Sequence, residues 1–340
     1  MNYSFTIVIP AYNAELYISS MIESIINQTY SNWNLVIVDD GSKDNTGTIC
    51  DTYQNDRIQV IHTDNQGQAK ARAVGIEKAT GDYTLVVDAD DEVTNNCLER
   101  INDVLNNSPY DMVMFPYMEC DKDLKPTNKT SVVPKRQGKM SQREVISWVI
   151  STYNHGLVNK AIKTSLIKKG ALESTKKRLK VNGDYALIIP ILCQIKSAYF
   201  YNEAMYLYRI HGTSISHNIS FQHILDTDYV SEMVKEELVK YELYDDKIRE
   251  LVNEAYLHMI VMMLGKLANK EKISKSKLIK LKSTTFYTES LEYEKKEKFT
   301  LCEYLSLKSL RNDWRCSTVV FKFGYNFARL NNKINRFLRR

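Results

Sequence analysis

The chain has 340 residues, 44% hydrophobic and 26% charged, with six prolines and 12 glycines, which excludes a fibrous or disordered chain and leaves room for one large domain or two. The net charge of +5 conceals an asymmetry: residues 1–110 carry 6 Lys/Arg against 16 Asp/Glu, a net of −10, and the rest carry 40 against 25, a net of +15. Carboxylates in front suit a cation, and basic residues behind suit phosphates, anionic lipid or nucleic acid.

Phe5–Pro10 (FTIVIP) is a short continuous apolar run and predicts a buried strand. Ala14–Gln28 places Leu16, Ile18, Met21, Ile22, Ile25 and Ile26 at helical spacing. Strands follow at Leu35–Val38, Ile58–His62, Tyr83–Val87 and Met112–Phe115, and helices at Thr46–Gln54, Gln68–Ala79 and Cys97–Leu105. This alternation means βαβ units and a mainly parallel sheet flanked by helices. Ligands bind such sheets at the carboxyl ends of the strands. Three polar clusters then share one edge: Ala11-Tyr12-Asn13, Asp39-Asp40-Gly41-Ser42 and Asp88-Ala89-Asp90-Asp91. The polar stretch Lys122–Lys139, with Pro126, Pro134 and Gly138, predicts a loop. Helical and short strand-like pieces run to about Asn218, and residues 220–300, rich in Lys, Glu, Leu, Met and Tyr with no Pro, predict a helical region.

The tail is different again. From Arg311 on there are eight basic residues and one acid, and Phe321, Phe323, Phe327, Leu330, Ile334, Phe337 and Leu338 recur at spacings of three, four and seven. It reads as a basic amphipathic helix at a membrane surface or as a helix packed on the domain with a solvated basic face.

Cys50, Cys97, Cys120, Cys193, Cys302 and Cys316 form no Cys-x-x-Cys pair, so no zinc site is expected, and their scatter fits a reducing cytosol. The N-terminus has no basic n-region, which predicts no signal peptide, and no run of 18 apolar residues predicts a bilayer span.

Asp88-Ala89-Asp90-Asp91 carries the most chemistry. Carboxylates at i and i+2 behind a strand can converge on one divalent cation that bridges a diphosphate, and Mg²⁺ or Mn²⁺ suits oxygen ligands. The alternative is a solvated acidic turn capping the next helix. Asp39-Asp40-Gly41-Ser42 is a strand-to-helix turn with a cap, and one of its carboxylates can also accept an N–H from a nucleotide base.

Strand-Pro10-Ala11-Tyr12-Asn13, Gln28-Thr29-Tyr30, Val36-Ile37-Val38-Asp39-Asp40-Gly41-Ser42, Asn65-Gln66-Gly67 with Ala71-Arg72 and Gly75, Gly81-Asp82-Tyr83 and Asp88-Ala89-Asp90-Asp91 together resemble family 2 of the glycosyltransferases, with the GT-A fold. The match runs in order over residues 4–120. A looser one covers about 155–218: Asn159-Lys160 is similar to the family's Asn-Lys step, Asn182-Gly183-Asp184 stands where the family often has Glu-Asp, and Tyr208-Arg209-Ile210-His211 with Ser214 and Ser216 resembles its closing Tyr-Arg-x-His segment. The style resembles bacterial enzymes that build capsular and other surface polysaccharides.

The resemblance implies an α/β GT-A catalytic domain over 1–218, with a nucleotide-sugar part over 1–120 and an acceptor part over 121–218, then a helical region over 219–300 and the tail over 301–340. It implies inverting transfer of a hexose or N-acetylhexosamine from a nucleotide sugar, a UDP-sugar above all, to a hydroxyl of a growing, lipid-linked surface glycan, with Mn²⁺ or Mg²⁺. Tyr12 and Asp40 would hold the base, with Pro10, Asp39 and Ala89 in the donor site. Arg72 would lie near the diphosphate or ribose, and Asp88 would touch the ribose or sugar. Asp90 would ligate the metal with Asp91 supporting it, and His211 would reach the metal or diphosphate from the far side. Asp184 would be the general base. By its residues alone Asp184 is equally a turn or cap residue after Gly183. Trp148 and Tyr153 lie in the acceptor segment, and the other histidines show no metal-ligand spacing.

One base suffices, because inversion needs a single in-line displacement, whereas a glycosidase needs two flanking carboxyls. A nucleotidyltransferase would want a basic, glycine-rich phosphate loop near the first strand, which Pro10–Ala14 lacks. A non-catalytic nucleotide-sugar-binding scaffold is the alternative function. A nucleic-acid binder would want a recognised motif beside the basic tail, so no nucleic-acid partner is expected. The expected setting is cytoplasmic, peripheral on the inner face of the plasma membrane, with a homo-oligomer through the helical region left open.

Overall fold

The computed structural model describes residues 2–134, 136–174, 182–210, 219–293, 298–312, 319–322 and 324–326. Residues of the first unit (1–179 and 183–214) build two sheets. The larger has eight strands, ordered β3 (Ile58–His62), β2 (Trp33–Asp39), β1 (Phe5–Ala11), β4 (Tyr83–Val86), β10 (Lys160–Lys163), β6 (Met112–Met114), β11 (Ser197–Phe200) and β9 (Gly138–Ser141). The first four run parallel. Then β10 enters antiparallel between β4 and β6, so the sheet is mixed beyond its parallel half, and the fourth and fifth strands read from the sequence are not neighbours.

β1 is buried along its whole length, as expected of a strand covered on both faces. Helix α3 (Gln68–Lys78) packs against it, and the buried face of α1 (Ile18–Ile26) joins the same core. α1 is shorter than its apolar spacing predicts. The N–H group of Ala14 donates to Thr46 Oγ1, at the start of the next helix, and that of Glu15 to Asp44 Oδ2 in the loop before it, and Leu16 stays exposed. α3 lies close against the sheet because position 75 is glycine: a Cβ there would stand 2.4 Å from Val8 Cγ1. Helices α2 (Thr46–Asp51), α4 (Cys97–Asn107), α5 (Gln142–Thr152), α6 (Thr164–Ser174) and α7 (Gly183–Leu192) complete the unit.

The smaller sheet runs β5 (Glu92–Val93), β12 (Tyr206–Arg209), β7 (Tyr117–Cys120), β8 (Pro126–Thr130). It corrects the loop expected over 122–139. β8 pairs antiparallel with β7 as an edge strand, where a polar sequence opening on proline is tolerated. More important for the site, β5 follows Asp91 directly and pairs with β12, which stitches the end of the acidic turn to a strand more than 100 residues later.

The second unit (residues 180–182 and 215–340) is helical where described: α8 (Phe221–Lys240), α9 (Asp246–Lys270), α10 (Lys275–Lys282), α11 (Thr285–Ser290) and α12 (Leu301–Asn312). Buried Asp228 ties three of these helices, accepting from Tyr256 Oη at 2.8 Å, Thr284 Oγ1 at 2.8 Å and the Tyr287 N–H at 3.2 Å. Among the described residues α9 is the one helix long and apolar enough to cross a membrane, and 72% of its apolar window is buried, as in a core helix. A Cβ at Gly265 of α9 would meet Tyr325 Cβ at 2.5 Å, and Phe321 is buried. The start of the tail therefore packs on α9, which removes Phe321 from any membrane-facing stripe. Residues 327–340 lie outside the described residues.

Candidate functional site

The parallel order β2, β1, β4 brings three strand ends to one edge. At the end of β1, after Pro10 and Ala11, Tyr12 stands 49% exposed. The following Asn13 has φ 51°, which asparagine tolerates better than most residues. Its N–H donates to Ser42 Oγ at 3.0 Å, and its Oδ1 accepts from the Lys43 N–H at 2.8 Å. The Tyr12 loop and the Asp39–Ser42 loop are thus hydrogen-bonded into one rim.

Both aspartates of that rim are buried. Asp40 accepts from the N–H groups of Gln66 (Oδ1) and Gly67 (Oδ2), both at 2.8 Å, which fixes the entry to α3. Gly67 has φ 93° there, a conformation that favours glycine. Each carboxylate oxygen has two acceptor sites, so Asp40 keeps capacity for a base N–H. Asp39 accepts from the Ser42 N–H at 3.1 Å and meets His62 Nδ1 at 3.0 Å. His62, given no role from the sequence, also meets Asp51 at 3.0 Å. Its pKa is raised, first by the hydrogen bond to Asp39 and then by that to Asp51.

At the end of β4, Asp88 Oδ1 accepts from Arg72 Nη2 at 3.0 Å and Gln68 Nε2 at 3.2 Å. Burial raises the Asp88 pKa, Arg72 opposes it, and the charges of Asp184 and Asp90 raise it further. Arg72, on α3, is itself buried and forms a second ion pair with Asp184 Oδ1. Burial disfavours its charge, but the two acids outweigh that and keep it protonated. The guanidinium thus meets two carboxylates. Asp184 lies in the first turn of α7, its side chain 27% exposed.

Ala89 is buried and Asp90 half-buried, and the Asp90 carbonyl accepts from Arg209 Nε at 2.7 Å. Asp91 turns inward, 1% exposed. Tyr206 Oη donates to its Oδ2 at 2.6 Å and the Arg209 N–H to its Oδ1 at 2.7 Å. Burial pushes its pKa up to about 8, helped by Asp88 and Asp90 and opposed by those two hydrogen bonds. Its oxygens face Tyr206 and Arg209, and it acts by fixing the turn that presents Asp88 and Asp90. Tyr206 adds a second tie, accepting the Asp88 N–H at 3.1 Å. His211 lies outside the described residues, and among those described no group of three His, Cys, Asp or Glu is poised to hold a metal. The donors that fit a hard cation are the carboxylates of Asp88 and Asp90, spaced i and i+2 at the strand end. Trp148 is half-buried and packs on Phe200, with ring centroids 6.0 Å apart. Tyr153 closes α5 at φ 55°.

The family model of glycosyl transferase family 2 matches residues 6–166. Glycosyltransferase GlyG of Streptococcus pneumoniae serotype 4 is 38% identical over 36% of this chain and 42% of its own length. An uncharacterized glycosyltransferase of Haemophilus influenzae is 30% identical over 63% of this chain and 82% of its own. Minor teichoic acid biosynthesis protein GgaB of Bacillus subtilis is 29% identical over 62% of this chain. The chain spans less than half of GlyG and 23% of GgaB. The crystal structure of S. aureus TarS 1-349 superposes with a TM-score of 0.68 at 17% identity, covering 96% of this chain and 92% of that one, and shows the fold to be GT-A. On the strength of these matches, the chain belongs to glycosyl transferase family 2.

Proposed function

We propose that this chain is an inverting glycosyltransferase that moves a hexose or N-acetylhexosamine from a UDP-sugar to a hydroxyl of a lipid-linked bacterial surface glycan, working in the cytoplasm at the inner face of the membrane. The observation that carries the reading is the buried Arg72 bridging Asp88, at the strand end where donors bind, to Asp184, on a helix of the acceptor half. The choice of donor and pathway is supported by TarS, which has been crystallised with UDP-GlcNAc, and by GgaB, a minor teichoic acid biosynthesis protein.

Tyr12 and Asp40 hold the base at the rim, with Pro10, Asp39 and Ala89 shaping the pocket. Asp88 meets the ribose or sugar. The acceptor hydroxyl approaches C1 from the side of Asp184, whose carboxylate takes its proton as the oxygen attacks. The C1–O bond to the diphosphate breaks in the same displacement. Asp88 and Asp90 would hold a Mn²⁺ or Mg²⁺ ion, with His211 as a further candidate ligand, and such an ion neutralises charge developing on the departing diphosphate.

The test is hydrolysis of a panel of nucleotide sugars by wild type and Asp90→Asn, with and without Mn²⁺, beside UDP binding by thermal shift. Metal-dependent release of UDP from one donor, lost in Asp90→Asn, supports the reading and names the sugar. Failure to bind any nucleoside diphosphate with metal present refutes it and leaves a scaffold that kept the fold.

A further inference from the structure

Lys160 opens β10, beside the end of β4 that delivers Asp88: Ala161 pairs with Leu85 and Lys160 with Met114. It is 1% exposed, and lysines are almost never buried so completely unless paired. Its Nζ meets three oxygens, Asn154 Oδ1 at 3.0 Å, Gly156 O at 2.5 Å and Asn159 Oδ1 at 2.8 Å. An ammonium has three N–H donors and a neutral amine only two, so this cage fits the charged form. Asn159 is itself clamped to the end of β6, donating from Nδ2 to Phe115 O at 2.8 Å and accepting the Phe115 N–H at 3.1 Å. All three oxygens are neutral, and the acid whose charge bears on Lys160 is Asp184.

The same cage shapes the loop between α5 and β10. Within it the His155 ring stacks on Tyr185, the residue after Asp184, at 5.2 Å between centroids. His155 Nδ1 is buried with no hydrogen-bond partner among the described residues. Burial lowers the His155 pKa, with Asp184 opposing and Lys160 assisting. The first turn of α7 is therefore held from two sides, by Arg72 on α3 and by the caged loop before β10.

We propose that Lys160 is a positioning residue of the transfer reaction: its ammonium gathers Asn154, Gly156 and Asn159 into a loop that sets His155 against Tyr185, the neighbour of Asp184 in the first turn of α7. The inference rests on Asp184 being the general base. Burial pushes Lys160 down to about 7, with Asp184 opposing, so the cage loses its third donor as the pH rises through that range. The charged and titratable groups around it are His155 in the loop, Asp184 on α7 and, through Asp184, Arg72 and Asp88.

The test compares wild type, Lys160→Met and Lys160→Arg. Lys160→Met is expected to lose about a hundredfold in kcat, the scale of a small misplacement at a reacting group, with KM for the donor and Kd for UDP within about twofold. Lys160→Arg is expected to regain part of kcat and to lack the alkaline limb near pH 7, because arginine does not titrate there. The same alkaline limb in Lys160→Arg, or equal losses of donor binding and turnover in Lys160→Met, overturns the proposal. A readout independent of turnover is the ¹⁵N resonance of Lys160 Nζ, titrated in wild type and Asp184→Asn. Its midpoint is expected to fall in Asp184→Asn, and an unchanged midpoint overturns the coupling even if Lys160→Met does not fold. Full transfer by Asp184→Asn with a shifted Lys160 midpoint would instead refute the role of Asp184 and leave the coupling standing.

Discussion

Arg72 and Asp184 are 112 residues apart in the chain and form an ion pair, with the same guanidinium also holding Asp88. Asp88 and Asp184 would repel one another if brought together bare. Arg72 makes their proximity tolerable, and its flat fork sets the direction of each. It meets Asp184 through Oδ1, so under the proposed mechanism the second oxygen of that carboxylate would be the one to meet a hydroxyl.

Arg72→Met is expected to leave two acids facing each other without a counter-charge. Breaking a buried pair costs about 3–5 kcal/mol, but Asp88 and Asp184 are about a quarter exposed, so water screens part of that and about 2 kcal/mol is expected. Arg72→Lys keeps the charge but presents a point rather than a fork, and should restore stability more than turnover. Urea unfolding and donor turnover, measured on both variants, separate the two effects. Full turnover in Arg72→Met would show that the bridge has no part in the reaction.

Asp184→Asn preserves the shape and an oxygen for Arg72 but removes the ability to take a proton. A loss of roughly a thousandfold in transfer is expected, within the range for a general base, with UDP affinity unchanged. Isothermal titration with UDP and a transfer assay at saturating donor check this. Retention of more than about a tenth of the rate would assign the base elsewhere.

Local patterns make the donor half legible in the amino-acid sequence. FTIVIP, LVIV and YTLVV fall on β1, the core of β2 and β4 because apolar runs bounded by turn residues leave few alternatives. Parallel order then places Tyr12, Asp40 and Asp88 on one edge. β10 is illegible because KAIK is four residues with lysine at both ends and has no period to read. Arg72 shows its residue type but not its partners, since one of them waits on α7. Tyr206 resembles a half-buried substitute for Phe, and only the pairing of β5 with β12 shows what its hydroxyl reaches. Lys160 is visible as half of an Asn-Lys step, yet no local signal shows that a lysine will be buried beside an acid 24 residues further on.

Tyr206→Phe tests the inward side of the acidic turn. The hydroxyl lies between Asp91 Oδ2 and the Asp88 N–H, and its removal leaves a buried carboxylate oxygen and a buried N–H short of a partner. A loss of about 1–3 kcal/mol is expected, with weaker Mn²⁺-dependent UDP binding as the turn carrying Asp88 and Asp90 loosens. Tyr208→Phe, on the same strand, is the control. Equal stability and equal metal dependence in the two variants would show that the Tyr206 hydroxyl does not govern the turn.

The helical unit carries its own acid-sensitive joint, at Glu303 near the start of α12. Glu303 meets His258 Nδ1 of α9 at 3.0 Å, and its Oε2 accepts from the Thr300 N–H at 2.9 Å and Thr300 Oγ1 at 2.7 Å. Burial pushes its pKa up, but the hydrogen bonds from His258 and Thr300 outweigh it and bring the group from 4.5 down to about 2. A carboxylate with a lower pKa folded than unfolded contributes stability that is complete above the unfolded value and is lost as the pH falls toward the folded one. The contribution should therefore be full above about 4.5 and fade between there and about 2. Glu303→Gln is expected to cost about 1 kcal/mol at neutral pH, since the side chain is partly exposed and screened. The gap from wild type should close across that acidic window. Urea unfolding of both proteins, followed by circular dichroism at several pH values, measures it, and a gap independent of pH would mean that Glu303 contributes its shape rather than its charge.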